Sequence, residues 1–222
     1  MVVEFLHSLA LVPLTLLPIM NPLSGAPVFS MTVGNNPVAA HQLARQVAIN
    51  CWFVLVGSML VGTYVLSLFG ISLPIVRIGG GLLVAASGWR MLNRNDDDEV
   101  HEAVKRTQPD SWTHAEIMRR SFFPLTFPLT TGPGSIAAAI AIGAGWPRQL
   151  ELYVSGAFVA VLGATVTVGV VYLVNRNAAA LMFKLGEVGT LVMTRLMAFM
   201  LLCIGIEIIW TGWAELNGIT AH

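Results

Sequence analysis

Long uncharged runs, separated by short polar punctuation, dominate this chain. No Asp, Glu, Lys or Arg occurs from Phe5 to Ala44, from Gln46 to Val76, or from Ser121 to Pro147. A helix of about 20 predominantly apolar residues crosses the hydrocarbon of a bilayer, so the pattern predicts an all-α membrane protein. The first segment, from Phe5 to about Gly34, is longer than one crossing needs, and Asn35-Asn36-Pro37 then makes a turn. The second helix is expected from about Arg45 to Phe69, and the third from about Pro74 to Leu92 after a short turn. Ser121 to Pro147 forms the fourth segment, and the fifth runs from about Leu152 to Val174. The sixth spans about Leu191 to Trp213, its Trp210 and Trp213 suited to an interfacial aromatic belt.

Two of the six segments carry residues that a spanning helix ordinarily avoids. Pro18, Pro22 and Pro27 surround Asn21, Ser24 and Gly25 in the first, and Pro128-Leu129-Thr130-Thr131-Gly132-Pro133-Gly134-Ser135 interrupts the fourth. Proline removes a backbone donor and clashes with the carbonyl four residues back. In lipid the freed groups must be received by protein or by a water-lined cavity. A shift of 111 residues, half of 222, places Pro13-Leu14-Thr15 on Pro124-Leu125-Thr126, Pro22 on Pro133, Ser24 on Ser135 and Ala26 on Ala137. A single break would pass for a packing kink between small residues; its duplication at matched positions points to binding.

The expected organisation is a first three-helix repeat over 1–92, a polar connection over 93–116 and a second repeat over 117–222. The connection holds Asp96-Asp97-Asp98-Glu99 followed by Lys105-Arg106 and reads as a solvated loop, since its spacing does not resemble an EF-hand. With an outside N-terminus and six crossings, ten of the twelve Lys and Arg lie in the cytoplasm: Arg45, Arg90, Arg94, Lys105, Arg106, Arg119, Arg120, Arg176, Lys184 and Arg195. Only Arg77 and Arg148 lie outside, as the positive-inside rule favours. Both termini are then periplasmic and the central loop cytoplasmic. Three crossings per half make the two repeats inverted. Re-entrant hairpins at the breaks would instead give parallel repeats, but they divide the same charges eight to four.

Composition agrees with this class. The chain is 55% hydrophobic and 11% charged, with mean hydropathy +0.74, far from a soluble domain. Its zero formal net charge gives no footprint for nucleic acid. Cys51 and Cys203 fall in apolar runs as small hydrophobes. The first residues lack the basic stretch of a cleaved signal peptide, so the first segment is expected to be retained. The sequence holds no zinc-binding His-Glu-x-x-His, no Gly-x-Ser-x-Gly elbow and no phosphate-cradling Lys motif. No enzymatic activity, metal or cofactor is expected.

Paired inverted repeats with an interrupted helix in each are the pointer to a secondary transporter's midplane site. Amides opening the half-helix after a break carry the positive end of its dipole and can receive a carboxylate. Carbonyls ending the half-helix before it can hold a cation or ammonium. Two facing breaks would therefore hold a small zwitterion without a buried charged side chain. The candidate binding residues are Asn21, Pro22, Ser24, Gly25, Thr130, Thr131, Gly132, Pro133, Gly134 and Ser135. Arg77, Arg195, Glu207 and Asn50 are candidates for coupling or gating. A snorkelling Arg near a helix end is ordinary, an Asn one turn into a helix commonly bonds a neighbouring helix, and an interfacial Glu needs no function. Of these, Glu207 is the group that could couple protons.

The stretches Asn21-Pro-Leu-Ser-Gly-Ala-Pro-Val-Phe29 and Phe127-Pro-Leu-Thr-Thr-Gly-Pro-Gly-Ser-Ile136 resemble the paired signatures of the MarC family of multi-pass inner-membrane proteins. Arg77-Ile-Gly-Gly-Gly-Leu-Leu83 resembles the segment opening that family's third helix, and the resemblance covers essentially the whole chain. It implies a bacterial inner-membrane location and, by the family's grouping with LysE-type exporters, transport of small neutral amino acids. It supplies no catalytic residues. The expectation is therefore a transporter or exporter of a small polar or zwitterionic solute, with proton or sodium coupling and lipid as its surroundings. A channel-like pore or a non-transporting structural protein is the alternative. Gly79-Gly80-Gly81 would support close helix packing within a protomer or in a homo-oligomer.

Overall fold

The computed structural model describes residues 2–34, 36–93, 112–145 and 150–219. The acidic run 96–99, the pair Lys105-Arg106 and Arg148 lie outside the described residues. The elements are α1 (Val2–Met20), α2 (Pro22–Val33), α3 (Pro37–Leu68), α4 (Leu73–Leu92), α5 (His114–Arg120), a wide-turned π-helical segment (Ser121–Thr130), α6 (Pro133–Ala144), α7 (Leu150–Arg176) and α8 (Ala178–Leu216). No strand occurs among the described residues. Four helices are long and apolar enough to cross a membrane: α3, α4, α7 and α8. Two bent pairs raise that to six if each is one span: α1 with α2, at 54°, and the run from α5 through the π segment with α6, at 71°.

Helix boundaries follow local chemistry. Asn36 accepts from the amides of Val38 at 3.1 Å and Ala39 at 3.0 Å, and Pro37 occupies the first helical position, where its missing N–H costs nothing. The second spanning helix therefore starts at Pro37 rather than near Arg45, because the cap and the proline act together eight residues upstream. The final helix is likewise longer than hydropathy suggests. It begins at Ala178 and bends at Gly186, whose φ of 63° with ψ of −179° suits only a residue without Cβ.

α3 is the hub. Leu43, Val47, Cys51, Leu55 and Met59 recur every four residues and are fully buried, a stripe that faces neighbours rather than lipid. Close approach by other helices depends on absent side chains. A Cβ on Gly143 would lie 1.9 Å from the Met59 carbonyl oxygen, and one on Gly163 of α7 would lie 2.6 Å from Val12 of α1.

α4 and α8 pack antiparallel through residues spaced by seven on both helices: Pro74, Gly81 and Gly88 against Gly212, Gly205 and Ala198. A Cβ on Gly81 would meet the Gly205 carbonyl at 2.7 Å. One on Gly88 would meet the Ala198 carbonyl at 2.7 Å, and one on Gly212 the Pro74 carbonyl at 2.7 Å. Backbone therefore packs on backbone along the seam, where van der Waals contact substitutes for a hydrophobic effect that lipid does not provide. Arg77 pairs with Glu215 at one end of the seam, and Arg195 donates to the Met91 and Leu92 carbonyls at the other. Of the glycine triplet, Gly80 packs on Ala137 of α6 and Gly81 on α8, while a Cβ on Gly79 would meet nothing within 4 Å.

Gly205→Ile is expected to lower stability by roughly 1–3 kcal/mol or more, the usual cost of overpacking, because a Cβ there would lie 2.4 Å from the Ala85 amide nitrogen. Gly79→Ala serves as the neutral control. Thermal melting in detergent measures both, and equal melting temperatures would refute the seam.

Candidate functional site

The first break is confined to one residue. Pro22 has no N–H for the Pro18 carbonyl, and Asn21 turns the chain with φ 43° and ψ 62°, the left-handed region that Asn tolerates better than most residues. No other non-glycine residue among those described has positive φ. Asn21 also caps α2. Its Oδ1 accepts from the Ser24 amide at 3.4 Å, and its carbonyl accepts from the Ser24 hydroxyl at 3.0 Å. Ser24 is thus occupied in holding the break. The Asn21 side chain is buried, and its Nδ2 has no hydrogen-bond partner, an arrangement costing about 1–3 kcal/mol if nothing ever meets it.

The second break is prepared over a longer stretch. Phe123 and Phe127 precede prolines and adopt extended backbone, as that position favours. Each following Thr closes the widened turn. Thr126 donates to the Ser121 carbonyl at 2.6 Å, Thr130 to the Leu125 carbonyl at 2.7 Å and Thr131 to the Thr126 carbonyl at 3.0 Å, every bond reaching five residues back. The threonine hydroxyls give these carbonyls side-chain donors within a segment that two prolines interrupt. Gly132 then starts α6 in an extended conformation (φ −80°, ψ 177°), with Pro133 at its first position.

A small pocket joins the two breaks. Asn21, Pro22, Gly25 and Phe29 line it from the first break, Leu125, Leu129 and Thr130 from the π segment, and Asn175 from the end of α7. Its volume of about 10 Å³ is roughly that of one water site. The pocket gathers Asn21, Pro22, Gly25 and Thr130 from the candidate binding residues. It does not gather Thr131, Gly134 or Ser135, which are buried elsewhere: the Thr131 hydroxyl faces Cys51 of α3, and a Cβ on Gly134 would strike Val84 of α4. Gly132 and Pro133 form the turn itself. Asn175 was not among the expected residues. It sits between Val174 and Arg176, where the sequence reads as a helix end, and only tertiary packing buries it. A second, wider cavity of about 230 Å³ opens where α3 ends, α4 begins and α6 ends, lined by Thr63, Tyr64, Ser67 and Gly143 among others.

The coupling candidates are dispersed. Asn50 accepts from Gln46 at 3.2 Å and donates to the Ser121 hydroxyl at 3.3 Å, tying α3 to the start of the π segment. Arg77 and Arg195 hold the two ends of the seam between α4 and α8. Glu207 lies on the outward face of α8, one turn before Trp210, and its carboxylate has no partner among the described residues. No cluster of His, Cys, Asp or Glu that could hold a metal occurs among the described residues.

Apolar helices, with two bent pairs whose breaks meet at a polar corner, define a multi-pass integral membrane protein. The family model for MarC family integral membrane protein matches residues 6–217, and the chain belongs to that family. It is 31% identical over 210 residues to the UPF0056 inner membrane protein MarC of Escherichia coli K12, covering 90% of this chain and 91% of the relative, and equally to that of Shigella flexneri. No solved structure matches the chain. Together with the apolar helices, this relationship makes it a multi-pass inner-membrane protein.

Asn21→Ala is expected to be less stable than Asn21→Gly by about 1 kcal/mol, because both lose the Ser24 cap and the unpartnered amide while only alanine strains at positive φ. Denaturant titration in detergent checks the order, and an Ala variant as stable as the Gly variant would show that the left-handed turn carries no strain.

Proposed function

We propose that the chain is a secondary transporter or exporter of a small polar or zwitterionic solute, with small neutral amino acids as the first class to test. The observation that carries this reading is the meeting of the two breaks at a pocket whose walls offer the Asn21 amide, the Thr130 hydroxyl and the Asn175 side chain. Polar groups buried at the middle of apolar helices are costly, and in membrane proteins they mark solute paths. Water-sized volume at the pocket fits an occluded state, and the 230 Å³ cavity near the ends of α3 and α6 fits an outer vestibule.

In this reading the two halves are inverted repeats. Support comes from α2 and α6: both are 12 residues long, begin with proline and coincide under the 111-residue shift that relates the sequence motifs. Six crossings then put both termini in the periplasm and the connection 93–116 in the cytoplasm, with access alternating as one repeat moves against the other. Proton or sodium drives transport, and Glu207 is the residue through which protons would act. Lipid surrounds the outer faces, and the outward surface of α4 at Gly79 is open to a second copy.

Proteoliposomes loaded with radiolabelled L-alanine or L-threonine test the proposal, with saturable flux as the expected result. Non-saturating flux with single-channel currents would make it a pore. Pro22→Leu regains a backbone N–H for the Pro18 carbonyl, and Gly132→Leu crowds the Pro128 carbonyl, 3.0 Å from a Cβ there. Both are expected to cut flux by an order of magnitude while the protein remains folded. Unchanged flux in both would remove the breaks from the mechanism.

A further inference from the structure

We infer that the Asn21 corner of the pocket binds the hydrogen-bond-accepting oxygen of the solute, a carboxylate in preference to an amide or hydroxyl. This rests on the transporter reading above and adds the orientation of the solute.

Asn21 is 6% exposed, and its Nδ2 is the buried side-chain nitrogen left without a partner among the described residues. Chemistry decides which end of the amide faces the pocket. Oδ1 accepts from the Ser24 amide at 3.4 Å, and turning the side chain over would set NH2 against N–H, donor against donor. The group presented is therefore NH2, which only donates. A sodium ion or an ammonium group would meet the positive end of this dipole. The corner also lies at the N-terminus of α2, a helix of 12 residues whose dipole places partial positive charge at the same point. An anionic oxygen gains from both.

The facing wall has the opposite character. Thr130 gives its hydroxyl hydrogen to the Leu125 carbonyl at 2.7 Å, so its oxygen is left to accept. Asn175, 5% exposed, adds an amide with both capacities. A solute bridging the two breaks is thus read by polarity, acceptor end at Asn21 and donor end at Thr130. Space for about one water means that α2 and the π segment must separate before a solute of several heavy atoms enters.

The test is calorimetric and thermal-shift titration of the purified full chain with L-alanine, L-alaninamide and ethylamine, with and without sodium. The expected order on wild type is L-alanine, then L-alaninamide, then ethylamine, each step about tenfold, since a charged acceptor makes the stronger bond. Asn21→Asp keeps an oxygen for the Ser24 amide and exchanges the donor for an acceptor at nearly constant size. It is expected to weaken L-alanine by about tenfold or more and to narrow or reverse the gap to ethylamine. Equal binding of L-alanine and ethylamine to wild type, or undiminished L-alanine binding by folded Asn21→Asp, overturns the assignment and leaves the transporter reading standing. If Asn21→Asp does not fold, the order on wild type decides alone. If none of the three compounds binds and none is carried by proteoliposomes, both readings fall.

Discussion

Inside a bilayer the main chain has no water to turn to, so every amide and carbonyl exposed by a break must be met by the protein itself. That constraint explains the chemistry at both interruptions. In the first, one left-handed residue bends the chain, and its own side chain and carbonyl receive the groups at the start of α2. In the second, two prolines interrupt the segment, and threonine hydroxyls donate to carbonyls five residues back. The two solutions differ in residue type and reach, yet each leaves a buried polar group at the place where the breaks meet.

The same constraint shapes the rest of the bundle indirectly. Helices that carry their own hydrogen bonds can approach until backbones touch, provided that side chains do not intervene. Glycine and alanine at seven-residue intervals along α4 and α8 permit this, and arginine closes both ends of the seam. Arg77 and Arg195 thereby act on packing, one through a carboxylate and one through helix-terminal carbonyls. On the far side, α3 presents its buried stripe to α6 and α7 and lends Asn50 and Cys51 to the π segment. The breaks are therefore held between a closely packed seam and the α3 hub.

Glu207 contrasts with this economy. A carboxylate on the outward face of a spanning helix is expensive in lipid, and its position one turn from the Trp210 and Trp213 stack allows it to reach toward the interface. Its carboxylate lies apart from the pocket, although α8 itself packs against α2 as well as α4.

The sequence by itself determined the class of protein, the number of apolar segments and the positions of both interruptions, because lipid enforces a length, an absence of charge and an intolerance of proline that can be counted along a chain. Family membership was legible in the same residues, since the paired motifs are the breaks. The true start of α3 was also written locally, in the Asn36 cap and Pro37, and hydropathy overlooked it. Which polar residues meet was decided only by the tertiary structure. Thr131 shares a motif with Thr130 but is turned toward Cys51 of α3, while Asn175, some 45 residues further on, lines the same pocket as Asn21. Neighbours in sequence diverge around a helix by about 100° per residue, so proximity along the chain says little about which wall of a pocket a side chain will join.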